Sequence, residues 1–544
     1  GRVALAAKAE VVPEDDDVDV FREATDQAEG LGQRRPALEQ ELRVPCRQPV
    51  VEGFKHEADP EVLLHVGRNG ADALGGHGED VSLLARRQAE EALERRVHAA
   101  LASRSAILWT TGIAQSGSAR TPLTRSRFTE AGSRFRQEDV DIIFLYITTY
   151  ALSSTVLPVV QRAGVPVVVL NLQPVAQLDY RAFNALGDRG TMTGEWLAHC
   201  QSCTAPELAC AFNRARIPFH LVSGTLDGSD TWREIAAWVR AASAVKGMRE
   251  NRVGVLGHYY CGMLDVYSDM TQQAGVFGCH FELLEMCELH ALRESATDAE
   301  VQAMLQRFRE EFDVSPECEP DELDRAARTS VALHKLVERH QLGSMAYYYE
   351  SQPGYPYENI VTSVIAGNSL LTAHGVPVAG ECEIKNVQAM KLLDLLGAGG
   401  SFAEPYLMDY EDDVILLGHD GPGHMAIAEG RVRLVPLPVY HGKPGKGLSI
   451  QMSVKHGPAT VLSVVQDVEG RLKLLVAEGE SVPGPVLEIG NTNSRYRFAT
   501  GAKAFFDTWC QAGPAHHMAI GTGHVADILE KIARLLGIAC IRVC

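Results

Sequence analysis

The chain has 544 residues, with 51 Lys+Arg against 70 Asp+Glu, a formal net charge of −19 and a pI near 5.5. That acidic balance argues against an extended nucleic-acid or anionic-membrane surface, so neither kind of partner is expected. With 46% apolar and 22% charged residues the composition is that of a globular chain, not a disordered or fibrous one, and at about 100–200 residues per domain the length accommodates roughly three domains.

No run approaches the ~18 consecutive apolar residues of a spanning helix. The N-terminus carries an acidic run, Glu14-Asp15-Asp16-Asp17, and no readable secretory signal. Twelve cysteines are scattered without framework spacing, which reads as reduced thiols in a cytoplasmic protein.

Residues 1–137 are rich in Arg, Glu, Ala and Gln; a helix is predicted over 83–101, and Ala106 to Ile113 is the one convincing strand. From Asp141 the texture changes. The apolar runs Ile142–Ile147 and Val165–Leu170 flank a helical stretch, Leu152–Arg162, closed by Gly164: a strand, a crossover helix and a second strand, the unit of a parallel sheet. The rhythm recurs at Arg252–Gly257, Met345–Tyr349 and Val376–Val378, with long helices over Asp298–Phe312 and Asp321–His340. Two doubly wound parallel α/β domains are predicted, over 138–250 (incomplete at its start) and 251–398. After Gly399 the short runs 414–417, 432–435, 448–454, 460–465 and 472–477, without helices between them, predict a C-terminal antiparallel β-barrel-like domain, 399–544, closed by a helix Val525–Leu536 with Gly537 as its cap.

Several motifs fail on context. Cys200-Gln201-Ser202-Cys203 lacks the second pair of a zinc site and reads as incidental cysteines. Gly442-Lys443-Pro444-Gly445-Lys446-Gly447 lacks the Ser/Thr and the helix of a phosphate loop and reads as a hairpin loop. Leu396–Gly400 follows a helix, so it is no dinucleotide fingerprint.

The acids and imidazoles of the C-terminal half are more informative. Gly380-Glu381-Cys382-Glu383 follows an apolar segment and precedes a helix, which puts carboxylates at a strand's carboxyl end. Ser401-Phe402-Ala403-Glu404 lies in the next loop, Leu417-Gly418-His419 ends another apolar run, and Ala515-His516-His517 sits in a Gly/Pro-flanked turn. Two carboxylates with two imidazoles form a ligand set for Mn²⁺, or alternatively Fe²⁺, Co²⁺ or Zn²⁺.

These pieces, with Gly457-Pro458-Ala459 and Gly513 before Ala515, stand in the order found in the L-arabinose isomerase family of the fucose/arabinose isomerase group, which the chain resembles over residues 138–544. The resemblance implies a metal-dependent aldose–ketose isomerase. Glu381, Glu404, His419 and His517 correspond to the family's metal ligands, Glu381 and Glu404 also to its acid/base pair, and Mn²⁺ is the implied ion. Glu383, where the family usually carries Asp, and His516 are expected to orient ligands or bind substrate. His424 competes with His419 for the third ligand position, and His419 is preferred. A homo-oligomer, trimer or hexamer, is implied as well. Residues 1–137 do not resemble the family's first strands and helices; the expectation for this atypical segment is a mis-assembled or frame-shifted reading of the gene, with ordinary divergence as the alternative.

The reaction so implied moves hydrogen between C1 and C2 of an aldose through an enediolate, most simply L-arabinose to L-ribulose. Isomerisation of another sugar, of the L-fucose or D-arabinose type, and sugar binding without chemistry are the alternatives. Tyr347-Tyr348-Tyr349-Glu350 and His258-Tyr259-Tyr260 are candidates either for the sugar pocket or for an aromatic core cluster.

Overall fold

The computed structural model describes residues 106–111 and 132–544, apart from 134, 138–139, 148–149, 353, 441–442 and 445. A first parallel sheet runs in the order β1 (Ala106–Thr111), β2 (Ile142–Ile147), β3 (Val167–Gln173) and β4 (Phe219–Thr225). β2 is buried along its whole length, as a continuous apolar run must be when helices cover both faces of a sheet. The helix Ser153–Ala163 links β2 to β3 and stops at Gly164, whose φ of 68° is left-handed and whose N–H reaches the Val160 carbonyl. Ala106 stands opposite Ile142, so this sheet begins before residue 138, inside the segment that composition had set apart. The helix predicted over 83–101, and with it most of the expected mis-reading over 1–137, lies outside the described residues.

A second parallel sheet is ordered β6 (His280–Leu284), β5 (Arg252–Gly257), β8 (Ser344–Tyr348), β9 (Val378–Ala379). The chain winds outward from β5 to β6 and returns on the other side of β5 with β8. The order therefore reverses between β5 and β8, where an open α/β sheet leaves a ligand crevice at its carboxyl ends. Helix Pro320–His340 packs Ala332, Leu333 and Leu336 against Leu256, Met345 and Tyr347. Helix Asp298–Glu311, opened by a capping box of Thr297 and Glu300, packs on it in turn.

β10 (Gly399–Asp409), β11 (Val414–His419), β16 (Gly457–Gln466), β17 (Leu472–Val482), β18 (Thr492–Phe498) and β19 (Met518–Thr522) close into an antiparallel barrel. Its order is β16-β19-β10-β11-β18-β17, with β17 paired back to β16. β20 (Ala539–Arg542) joins β17 in parallel. Two of the runs read as strands of this domain leave it: β12 (Arg433–Pro436) and β15 (Leu448–Gln451) pair with each other, and β12 pairs with β7 (Asp313–Val314), in a sheet of their own. Alternating apolar residues identify a strand but not the sheet it joins. The glycine–lysine run meets a small hairpin of β13 (Val439–Tyr440) and β14 (Lys443–Pro444), as read from its sequence.

One helix fixes the two halves of the site relative to each other. Ile384–Leu395 connects β9 to β10, and every residue from Ile384 to Leu393 is buried, because it passes between the second sheet and the barrel. The closing helix Ala526–Leu536 ends at Gly537 and packs on Ser229–Glu250. Among the described residues no helix is long and apolar enough to cross a membrane.

Candidate metal centre

β9 ends at Ala379, and the chain then turns through two residues in the left-handed region, Glu381 (φ 55°) and Cys382 (φ 58°). For residues with a Cβ this costs ~1–2 kcal/mol each and persists only where the surroundings enforce it. Here the Glu381 carbonyl accepts the Tyr260 N–H at 3.3 Å and the Glu383 N–H closes on the Gly380 carbonyl at 3.0 Å. The turn delivers both carboxylates to one ring: Glu381 Oε2 lies 3.5 Å from His517 Nε2, and Glu383 Oε2 lies 2.6 Å from His517 Nδ1.

The barrel supplies the other groups. Glu404 pairs with Gly418 across β10 and β11, and Ala403 with Met518 across β10 and β19. Glu404, midway along β10, is therefore level with His419 at the end of β11 and with His517 just before β19. Two motif glycines are required by close approach. A Cβ on Gly418 would stand 2.1 Å from the Thr492 carbonyl, and one on Gly380 would stand 2.9 Å from the Phe402 ring. Phe402 sits with its centroid 4.4 Å from those of both His419 and His517, so the bare Gly380 leaves room for the ring that braces both imidazoles.

The donors gather in two overlapping triads, Glu381–His419–His517 and Glu404–His516–His517, each with its ligand atoms within 4.8 Å of one another. His419 Nε2 lies 3.9 Å from Glu381 Oε1, and His516 Nε2 lies 3.6 Å from Glu381 Oε2 and 3.8 Å from Glu404 Oε2. Two ligands each ~2.1 Å from one first-row ion are at most about 4.2 Å apart, so these contacts suit a shared cation. The donor set also fits one. Glu381 Oε2 and His517 Nε2 are buried and have no hydrogen-bond partner, a costly state unless a cation satisfies them. Glu383, meanwhile, holds the far nitrogen of His517, as carboxylates commonly hold metal-bound imidazoles. His517, Glu383, His419 and Glu381 form a buried floor, while Glu404 and His516 are about a third exposed, at 31% and 32%. His424 is buried, its backbone N–H donates to Ser401 Oγ at 3.3 Å, and it belongs to neither triad.

Electrostatics follow from that burial. Desolvation pushes Glu404 up from the usual carboxylate range, with Glu381 adding to the rise and His517 and His516 opposing it. His516 shows the reverse. Burial pulls it down, but Glu381 and Asp265 more than compensate and hold it up at about 9.

Asp265 was not visible from the sequence. It lies in a short 3₁₀ turn, Leu264–Val266, and accepts both the His516 backbone N–H (3.0 Å) and its ring Nδ1 (2.6 Å) across 251 residues of chain. The buried Lys385 ammonium donates to the Asp265 and Tyr267 carbonyls and so anchors that turn. Tyr406 was also missed. Burial first, then Glu404 and Asp420, push its hydroxyl far above its ordinary value, so it stays protonated, and it accepts a hydrogen bond from Asn491 Nδ2 at 2.8 Å. The tyrosine segments meet at the crevice: Tyr260 packs on Tyr348 with centroids 4.6 Å apart, and His258 on Tyr348 at 5.5 Å, beside the Glu381 backbone. Tyr347 and Tyr348 are buried, which makes them core aromatics as much as pocket wall.

Parallel α/β sheets leading into a closed β-barrel, with paired glutamates and histidines where the two meet, define a protein built around a candidate divalent-cation site. Comparison with known proteins narrows that class. Residues 399–539 match the L-arabinose isomerase C-terminal domain. Proteins named L-arabinose isomerase from Acidothermus cellulolyticus (22% identical over 341 residues, 60% of this chain and 67% of that protein), a Nocardioides species (23% over 346 residues, 61% and 67%) and a Shewanella species (24% over 344 residues, 60% and 66%) are similar to it. The matched stretch spans about two thirds of these relatives' length. The chain is thus similar to L-arabinose isomerases over this stretch, and its residues 399–539 match that family's C-terminal domain.

Proposed function

We propose that the chain is a divalent-metal-dependent aldose–ketose isomerase whose reaction is L-arabinose to L-ribulose. The observation that supports this reading most is that Glu381, His419 and His517 gather on a buried floor and the partly exposed Glu404 joins them through a second triad that shares His517, in a chain whose relatives are named for that reaction. These four residues would hold the ion, with Mn²⁺ first among the candidates. When bound, it supplies Lewis-acid stabilisation of the charge that develops on oxygen as a C–H proton beside a carbonyl is removed.

The protein's own groups do the rest. Glu404, the more exposed of the two acids (31% against 9% for Glu381), is better reached by a bound sugar and serves as the carbon base, taking the C2 proton and returning it to C1. Glu381 accepts the proton of the C2 hydroxyl and delivers it to the former carbonyl oxygen. Such general acid–base assistance contributes ~10²–10⁴-fold. Glu383 fixes the His517 ring through its 2.6 Å bond, and Asp265 fixes His516 through a second of 2.6 Å, so that Nε2 of His516 stands beside both acids. A homo-oligomer, trimer or hexamer, and a cytoplasmic location belong to the same reading, supported by family resemblance and by free cysteine thiols.

The test is ketose formation across aldopentoses and aldohexoses, with Mn²⁺ or with EDTA. Ketose from L-arabinose that requires Mn²⁺ supports the proposal. Turnover confined to L-fucose or D-arabinose would move the substrate, and sugar binding without conversion would make this a binding protein.

A further inference from the structure

The C-x-x-C pair, read from sequence as incidental, is placed in a way that incidental cysteines are not. The eleven cysteines among the described residues are all free, yet Cys200 Sγ and Cys203 Sγ stand 2.8 Å apart, within van der Waals contact and ~0.8 Å beyond the length of a disulfide bond. Cys200 is the N-cap of the fourteen-residue helix Gln201–Arg214, and Cys203 lies in its first turn. The two differ in access: Cys200 is 3% exposed, while Cys203 is exposed.

The residues around the pair are tied to the carboxyl end of the first sheet. Gln173 donates to Ser202 Oγ at 3.2 Å, and Ser202 Oγ donates to Asn171 Oδ1 at 3.4 Å. Thr204 Oγ1 accepts the Ala151 N–H, and Glu207 Oε1 accepts the Ser153 N–H, both at 2.8 Å. With Ser202 and Thr204 held from either side of Cys203, the two sulfurs stay adjacent instead of swinging apart. That raises their effective concentration for each other.

We propose that Cys200 and Cys203 form a redox-active dithiol that closes to an intramolecular disulfide by exchange with low-molecular-weight disulfides such as oxidised glutathione. Cys203, the exposed member of the pair, loses its proton and attacks the external disulfide. One external thiol leaves, and a mixed disulfide remains on Cys203. Cys200 then loses its proton and attacks the Cys203 sulfur, which expels the second external thiol. Two protein thiols become one disulfide, and one external disulfide becomes two thiols. Burial and the neighbouring Cys203 push the Cys200 thiol up to about 11, which suits the resolving partner and not the attacker. This assignment is independent of the isomerase reading, because it involves none of the proposed ligands.

The test is incubation of the folded full chain in glutathione buffers of graded oxidation, followed by alkylation and peptide mapping. The tryptic peptide from Gly190 to Arg214 carries Cys200, Cys203 and Cys210, so Cys210 is an internal control. The expected result is loss of two hydrogens within that peptide, with Cys210 still alkylated. Cys200→Ser should accumulate one glutathione on Cys203, while Cys203→Ser should leave Cys200 unmodified. Lasting glutathione on Cys203 of the wild type, or equal labelling of Cys200 and Cys203 in the two variants, would overturn the proposal. So would closure no more selective in the folded chain than in the denatured one.

Discussion

Replacing Glu383 with Gln perturbs the site without removing a proposed ligand. The Glu383 carboxylate touches Nδ1 of His517 at 2.6 Å, and the two side chains are 1% and 0% exposed. A bond this short, between two fully buried side chains, fixes the orientation of the His517 ring and so the position of the Nε2 that faces Glu381. Loss of such a partner typically weakens metal affinity ~10–100-fold. Complete burial on both sides places this pair in the upper part of that range, about 30–100-fold, or roughly 2–2.7 kcal/mol at ~1.4 kcal/mol per decade. Isothermal titration of Mn²⁺ into wild type and Glu383→Gln measures the difference, and circular dichroism checks that the variant is folded. An affinity within about threefold of wild type would refute the idea that Glu383 acts through His517.

Three further outcomes follow from the same geometry. Glu381→Gln and Glu404→Gln should each abolish turnover while the chain stays folded, as read by ketose formation and a thermal melt; near-wild-type rates in either variant would remove that residue from the chemistry. In the metal-free protein, the stabilisation from His516 is fully present below its unfolded value of 6.5 and is lost as the pH rises through about 9, because its folded value is raised. Wild type should therefore lose more melting temperature than Asp265→Asn between pH 6.5 and 9.5, and parallel curves would contradict the Asp265–His516 contact. Glu381→Gly removes a Cβ from a φ of 55° and should leave the metal-free chain at least as stable as wild type, by up to ~1 kcal/mol, with no activity; a marked drop in denaturant midpoint would show that the turn is not strained.

What could be read from the sequence depended on how locally each feature is encoded. β2, β5 and β8 are short apolar runs whose burial on both faces leaves a direct signature, and Gly164 and Gly537 mark helix ends through a left-handed φ that only glycine adopts readily. β10 gave no such signal. It opens on Gly399-Gly400 and carries Pro405 at a break in its register with β11, features that ordinarily argue against a strand interior and that mark a bulge here. β12 and β15 were recognisable as strands, yet their membership of a separate sheet depends on pairing with Asp313–Val314, more than a hundred residues away in the chain.

The same distinction holds in the site. Glu381 and His419 stood out because each ends an apolar run, while Glu404 in its predicted loop and His517 in its turn were picked out by short motifs that resemble the L-arabinose isomerase family. Asp265 and Lys385 did not, because Asp265 acts through a contact between the second α/β domain and the barrel, and Lys385 by holding the Asp265 turn from far along the chain, and no spacing announces either. Tyr406 was hidden by being two residues past Glu404 on a strand that was itself not recognised.

In the proposed reaction, four side chains spread along the chain grip one divalent ion. The most direct measurement is the stoichiometry and affinity of Mn²⁺ on the EDTA-stripped full chain, in wild type and in Glu381→Ala, Glu404→Ala, His419→Ala, His517→Ala and, as the contrast, His424→Ala. One ion per chain, weakened at least tenfold by each of the first four changes and unaffected by the fifth, is the result expected. No binding to folded wild type, or binding indifferent to all four, would contradict it.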